Sequence, residues 1–453
     1  MANRAPQHVV AIIGGATAGA EAAGMFAERG ALVVVFEQNA RPYGKIEDGL
    51  PRWHVKLRRK EYELVNERLG RPSVSFVPLT KIGRDIDFRE LVTGWGFSAV
   101  VLAHGAWRDR PLPVAAADDY LGRGLLYQNG LIHWFNHYTE RDYTGPQYSI
   151  DAGGIVVGGG LASIDVMKVL QIESVRRALS RRGIEEDVLR IEHDGVPAVL
   201  AAHGLTVEAL GVQPASLFYR RRIEDMPLAE IPKDADPVRR QKLEATRRRI
   251  LEKAMQKYCF CVRPQLMPVG LLVEGDHLAG LRFQCTSVEG GRAVPLEGSM
   301  EDVRAPLVVS SIGSVPEPMD GVPQDGLLYR YADRNLGRVE GYDTVFGVGN
   351  VVTGQGNILV SRRHSTEVAL QLIEHFLGLD GGEHAGEEEL LAPIAGSAQA
   401  VSAQVTEVIG RRPPLSPEQV ARLFNRVRER QHTVGYAGDY RDWIARVTPP
   451  DLA

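Results

Sequence analysis

Two short stretches hold residues whose types and spacing suit nucleotide chemistry. The first, VVAIIGGATAGAEAAGMF from Val9, runs from apolar residues into Gly14, Gly15, Ala16, Thr17, Ala18 and Gly19. A strand that opens into a helix through G-x-G-x-x-G presents backbone N–H groups and a positive helix terminus to a pyrophosphate. In that pattern the first glycine makes the turn, the second admits the phosphates, and the third lets helix and strand pack closely. Here the second position is Ala16, one added methyl at the point of approach. The next strand, ALVVVFEQ, ends in Glu37 and Gln38. An acid at that tip, roughly twenty positions on, accepts hydrogen bonds from ribose hydroxyls. A glycine pattern alone leaves a ligand-free βαβ unit open. The complete strand–turn–helix–strand–acid unit favours a working cradle in which Ala16 displaces the phosphate slightly.

The second stretch, GGIVVGGGLASIDVMKVL, repeats the design with Gly158, Gly160 and Ser163 at the glycine positions and Leu161 and Ala162 between them. Its following strand, ASLFYRRR, ends not in an acid but in Arg220, Arg221 and Arg222. Guanidinium groups there would hold a 2′-phosphate through charge-assisted, often bidentate bonds. NADP(H) rather than NAD(H) is expected; a solvated basic strand end is the alternative. The long interval between Gly160 and Arg220 implies an inserted helical segment, SVRRALSRRGIEEDVLRIEHDGVPAVLAAHG.

These units need elements to position them, and the chain is long enough to supply them. With 453 residues, 44% hydrophobic, two or three domains are expected. A net charge of -4 gives no global attraction to nucleic acid or anionic lipid. Cys259, Cys261 and Cys285 form no C-x-x-C and no four-cysteine set, which removes dithiol relays and iron–sulfur ligation. No metal site is expected. Cys259 and Cys261 flank Phe260 on a predicted strand, whose alternation would turn both towards the core. The opening MANRAPQHVV has neither a signal peptide's apolar run nor an Arg/Ser-rich presequence, so a cytoplasmic location is expected.

The segment YGKIEDGLPRWH, with Gly44, Gly49 and His54, resembles the stretch after the ribose acid in the adrenodoxin reductase (ferredoxin–NADP reductase) group. LIHWFNHY is similar to that group's linker into its NADP domain. FYRRRIEDMP is closer to a related protein, the glutamate synthase small subunit. VVSSIGSVPEP and VFGVGNVVTGQGN resemble the group's late strands, so the likeness covers roughly Val9 to Leu379. It implies an α/β protein with two Rossmann-like dinucleotide-binding domains, an FAD domain interrupted by an inserted NADP domain. The divisions would fall at 1–143, 144–315 and 316–381, with a helical extension over 382–453. It further implies FAD contacts at Gly44, Lys45, His54, Gly105, Gly349, Asn350, Gly356, Asn357 and Ile358, beside the cradle residues Gly14, Ala16, Ala18, Gly19, Glu37 and Gln38. Asn350 departs from the pattern, standing where many relatives have Asp and adrenodoxin reductases have Trp. His54 is the candidate for proton movement near the flavin; a structural histidine is the alternative.

The expected function is an FAD-dependent NADPH oxidoreductase passing single electrons to a ferredoxin or flavodoxin. The segment DPVRRQKLEATRRRILEKAMQKY reads as a basic helix on which Arg239, Lys242 and Arg249 lie together, flanked by Arg240 and Arg247. Such a face would steer an acidic redox partner, as the resemblance also implies, although charge runs are usually solvated faces. Two other readings stay open. One is an electron-transfer subunit of a larger complex; the other is a nucleotide-responsive binding protein without turnover, with Ala16 and Asn350 as traces of decay. In the tail, Ser416-Pro-Glu-Gln predicts a capped helix start.

Overall fold

A computed structural model of the protein describes residues 7–150, 152–228, 236–353 and 392–449. Its central strand is Val9–Ile13, an unbroken run of apolar residues, all buried. Continuous rather than alternating hydrophobicity is what a parallel strand covered on both faces requires. Leu32–Phe36 and Ala99–Leu102 pair with it in parallel, and Val74–Val77 extends the sheet beyond Leu32–Phe36. On the other side, Val345–Gly347 joins Ala99–Leu102 in parallel, and Arg338–Val339 and Tyr331–Asp333 complete an antiparallel edge. The chain thus leaves this seven-stranded sheet and returns to it late.

The intervening residues build a second, wholly parallel sheet. Its order is Leu125–Tyr127, Val308–Ser311, Ile155–Gly158, Ser216–Tyr219 and Cys261–Pro264. Leu125–Tyr127 lies before residue 143, yet it pairs in this sheet. The linker helix Gln128–His137 follows it directly. Between Ile155–Gly158 and Ser216–Tyr219 run the helices Leu161–Ser180, Val188–Asp194, Val196–Ala202 and Val207–Leu210, which account for the long interval. A three-stranded antiparallel ribbon, Leu266–Glu274, His277–Glu289 and Arg292–Arg304, flanks the sheet.

The expectation for the cysteines is corrected here. Phe260 is buried, but Cys261 is exposed and Cys259 half-buried. The strand begins only at Cys261, and Cys259 closes the preceding helix with a φ of 58°, so the two share no pleat.

The tail packs against the first sheet. Helix Pro417–Thr433 starts with the capping box of Ser416 and Gln419. Gln431 donates to the Phe76 carbonyl (2.8 Å), Tyr440 to Asn66 Oδ1 (2.7 Å) and Trp443 to the Ala40 carbonyl (2.8 Å). Among the described residues, no helix is long and apolar enough to cross a membrane.

Candidate functional site

In the first cradle the turn is fixed by close approach. Gly14 has a φ of 100°, and its N–H donates to the Phe36 carbonyl at 2.8 Å. A Cβ on Gly19 would lie 1.9 Å from the Gly14 carbonyl oxygen, so helix Thr17–Glu28 reaches the strand only because residue 19 has no side chain. Ala16 caps that helix at φ -73°, ψ -167°, a conformation open to any residue. The glycine it replaces was needed for room, not for torsion. Glu37 is buried at the tip of Leu32–Phe36. Its Oε2 accepts from Gly15 N (2.8 Å) and its Oε1 from Asn39 N (2.9 Å). Burial pushes its carboxyl up to about 7, against the opposing pull of those N–H groups.

Two adjoining cavities open from this cradle. One, of about 380 Å³, is lined by Gly14, Glu37, Gln38 and Asn39 and by the loops around Thr80 and Pro318. The other, of about 140 Å³, is lined by Ala18, Lys45, Gly105, Asn129, Asp165 and Asn350 among others. Ala16, Gly44, Ala103, His104 and Trp107 line both. Gly44 is a constriction point: its φ is 52°, and a Cβ there would sit 2.9 Å from Ala16 Cβ. Gly349 is similar, since a Cβ would fall 2.8 Å from Ala18 Cβ. Lys45 donates to Asn129 Oδ1 (3.0 Å) and Ser314 Oγ (3.1 Å), tying the two sheets' segments together; burial lowers its ammonium to about 8. His104 accepts or donates at Nε2 with Tyr329 Oη (3.1 Å), and burial holds its imidazole down at about 4.

The second cradle opens onto a cavity of about 550 Å³ lined by Gly158, Gly160, Ala162, Ser163, Arg220 and Arg221. A Cβ on Gly158 would meet Ser163 Oγ at 2.2 Å and the Ser311 carbonyl at 2.4 Å. Ser163 Oγ itself donates to that carbonyl at 2.9 Å. This cavity meets the 140 Å³ cavity at Gln128, Ala162 and Pro227, which line both. The three spaces are contiguous.

The predicted residues separate accordingly. Arg220 and Arg221 reach the second cavity, with Arg221 Nε donating to Tyr219 Oη at 2.9 Å. Arg222 folds back instead onto Asp225, through two bonds of 2.9 Å. Leu161, from the second cradle's helix, lines the 140 Å³ cavity. His54 is fully buried behind the cavity wall: Trp53 Nε1 donates to its Nε2 (3.1 Å), and that nitrogen lies 3.9 Å from Asp165 Oδ1. Gly356, Asn357 and Ile358 lie outside the described residues.

On the basic helix Pro237–Tyr258, Arg240, Lys242 and Arg249 are exposed, while the Arg239 side chain lies outside the described residues. Arg247 needs correction: it is buried and donates to the Glu224 carbonyl at 2.8 Å. It falls on the same stripe as Leu243, Ile250, Leu251 and Ala254, the side that packs inward.

No protein-family model matches the chain. It is 24% identical to the NADPH-ferredoxin reductase FprA of Mycobacterium leprae, over 84% of this chain and 88% of that protein. It is 23% identical to the mitochondrial NADPH:adrenodoxin oxidoreductase of Arabidopsis thaliana, over 72% of this chain and 71% of that protein. The fold matches the structure of Mycobacterium tuberculosis FprA in complex with NADPH, with a TM-score of 0.67, 17% identity, and coverage of 94% and 91% respectively. Over most of its length the chain is thus similar to members of the adrenodoxin reductase group. Two further matches are shorter, spanning 34% of the cindoxin reductase of Citrobacter braakii and 31% of the glutamate synthase small chain of Bacillus subtilis.

Sequence reasoning missed several cavity residues. Thr80 to Arg84 follow a parallel strand's carboxyl end, where ligands of open α/β sheets collect, so that rule alone was a usable signal. Asp165 lies four residues beyond Leu161 on the cradle helix, one turn on and so on the same face. Gln128 and Asn129 had no local signal, because they meet Trp107, the last residue of GFSAVVLAHGAW, only where two separate segments come together.

Proposed function

We propose that the chain is an FAD-containing, NADPH-dependent oxidoreductase that passes single electrons to a small acidic redox protein such as a ferredoxin or flavodoxin. One observation carries this reading: an acid-tipped cradle and an arginine-tipped cradle open onto contiguous cavities that share Gln128, Ala162 and Pro227. The residues present fit the two nucleotides. Gly14, Gly19 and Gly158 stand where any Cβ would strike backbone, and the buried Asp165 Oδ1 and His104 Nδ1 have no hydrogen-bond partner within the described residues. Names of relatives point the same way: FprA is an NADPH-ferredoxin reductase, and the plant protein an NADPH:adrenodoxin oxidoreductase.

Bound FAD would supply the chemistry, accepting hydride from NADPH and releasing electrons one at a time. The chain's own residues bind and orient. Glu37 accepts from the adenosine ribose with the lone pairs its loop leaves over, and Gly44 and Ala16 set the width of the passage between the two first-cradle cavities. Arg220 and Arg221 clamp the 2′-phosphate; Arg222, neutralised by Asp225, contributes little. The structural alternative suits His54 better: its ring does not line the cavity, and its Nε2 accepts from Trp53 and lies 3.9 Å from Asp165 Oδ1. Arg240, Lys242 and Arg249 offer the partner an exposed basic face. The cytoplasm is the location proposed from the sequence.

Anaerobic titration with NADPH, and separately with NADH, while following the visible flavin absorbance, tests the reading. NADPH alone should bleach the flavin. A yellow protein that neither nucleotide bleaches would favour the binding-protein alternative. A colourless protein unable to take up FAD would show that the first cradle is closed.

A further inference from the structure

We infer that Asp48, His133 and His137 form a binding site for a divalent transition-metal ion, with zinc the ion best suited to the donors. The site is separate from both nucleotide cradles and does not depend on the function proposed above. His133 and His137 stand one turn apart on the linker helix Gln128–His137, where side chains at i and i+4 share a face. Asp48 ends the short helix Lys45–Asp48 opposite them. Asp48 Oδ1 lies 3.4 Å from His133 Nδ1 and 3.0 Å from His137 Nε2, and the three donor atoms all fall within 4.8 Å of one another. Zinc bonds to nitrogen and oxygen are about 2.0–2.2 Å long, which puts tetrahedral donors roughly 3.4 Å apart. The spacing already approximates that figure before any ion draws the donors in.

The outer contacts match as well. His137 Nδ1 faces Glu140 Oε1 at 2.7 Å, so the ring turns one nitrogen to the donor cluster and the other to a second carboxylate. A ligating histidine is typically oriented in that way, by a carboxylate on its remaining N–H. Asn136 Nδ2 donates to the Glu47 and Leu50 carbonyls, both at 2.8 Å, and so holds the two helices in register beside the site. The ion would also sit at the linker helix's carboxyl end, where a cation is favoured. Two imidazoles and one carboxylate suit zinc better than magnesium or calcium, which take oxygen. Three protein donors leave a fourth position for water, and the half-exposed His133 gives access to it. The consequence is mechanical: the short helix carries Lys45 and the linker helix carries Gln128, so an ion here would pin two walls of the cavities to each other.

The test is calorimetric titration of the whole chain with zinc chloride after chelator treatment, on wild type, His133→Gln and Glu140→Gln. The expected result is one saturable ion per chain and a raised Tm. His133→Gln should weaken binding at least about tenfold, and Glu140→Gln about 10- to 100-fold. Cobalt(II) should give a visible tetrahedral absorption in wild type that His133→Gln loses. His133 is half-exposed, so that variant should fold, and its circular dichroism confirms whether it has. No saturable binding, or binding unchanged in folded His133→Gln, would overturn the site and leave a hydrogen-bonded histidine pair.

Discussion

The two cradles share one strand–turn–helix plan and differ in how they use their strand tips. In the first, Glu37 turns inward and spends hydrogen bonds on its own loop, at Gly15 and Asn39. In the second, Arg220 and Arg221 face an open cavity of about 550 Å³. The first is crowded, with Ala16 against Gly44 and Ala18 against Gly349. In the second, Arg220 is exposed, while Arg221 is half-buried and shares its Nε with Tyr219. A buried, self-bonded acid and a tight passage suit a resident cofactor that rarely leaves. An exposed Arg220 and a wide cavity suit a nucleotide that must come and go.

The strongest way to break the comparison is to damage each cradle alone. In Gly19→Ala the new Cβ would lie 1.9 Å from a backbone oxygen, which no rotamer relieves. We expect loss of bound flavin and destabilisation of about 3 kcal/mol, near the upper end for overpacking. Gly158→Ala, with its Cβ 2.4 Å from the Ser311 carbonyl, should abolish NADPH binding yet keep the flavin. Flavin content and thermal melts of both purified variants decide. A fully yellow Gly19→Ala protein would show that helix and strand have slack.

The next effect is smaller and sharpens the contrast in charge. Arg221→Ala should weaken NADPH binding about 10- to 100-fold, as expected for one charge-assisted interaction of about 1.5–3 kcal/mol. NADH binding should not change, and neither should Arg222→Ala matter much, because Arg222 already serves Asp225. Equal losses for NADPH and NADH would mean that Arg221 shapes the cavity without reading the phosphate.

These outcomes bear on what the sequence could reveal. Glu37 and Arg220 were legible because a strand tip is placed by local rules, through the position of the strand and the turn before it. Arg222 was not, since its partner Asp225 lies across a tight turn that only the folded backbone defines. Arg247 was misread because the helix Pro237–Tyr258 carries cations on several faces, and charge alone does not mark the buried one. The apolar positions Leu243, Ile250 and Ala254 did mark it. Lys45 was expected at the flavin site from resemblance, but its bonds to Asn129 and Ser314 join segments distant in sequence. The tail's capped helix start was readable at Ser416, whereas its seat on Asn66 and Ala40 was not.

Glu37 gives a titrating test of the first cradle. Its carboxyl, raised from 4.5 to about 7, holds a proton more firmly folded than unfolded. Its contribution to the stability of the flavin-free protein therefore falls as pH rises from about 4.5 to about 7. Ribose hydroxyls donate to the ionised form, so flavin binding should expel that proton. FAD affinity should then weaken as pH drops below about 7, by at most about tenfold per unit. Glu37→Gln should flatten this slope. Fluorescence of released FAD at several pH values measures it, and equal slopes in the two proteins would place the titration elsewhere.

The smallest effect is expected at Ala16, the residue by which the first cradle departs from its own pattern. Its φ of -73° asks nothing of glycine, so the methyl costs only room. Ala16→Gly would return that room to the phosphates, but it would also loosen the free loop, at roughly 0.5–1 kcal/mol of backbone entropy. The two changes oppose each other, and FAD affinity should move by less than about threefold. A gain beyond tenfold, read from FAD titration of the flavin-stripped protein, would mean that the methyl does obstruct the pyrophosphate. The crowding in the first cradle would then be a defect rather than a device for retention. A near-zero change would instead assign the tightness to Gly44, Trp107 and the helix packing at Gly19, with Ala16 a passenger in a passage already narrow.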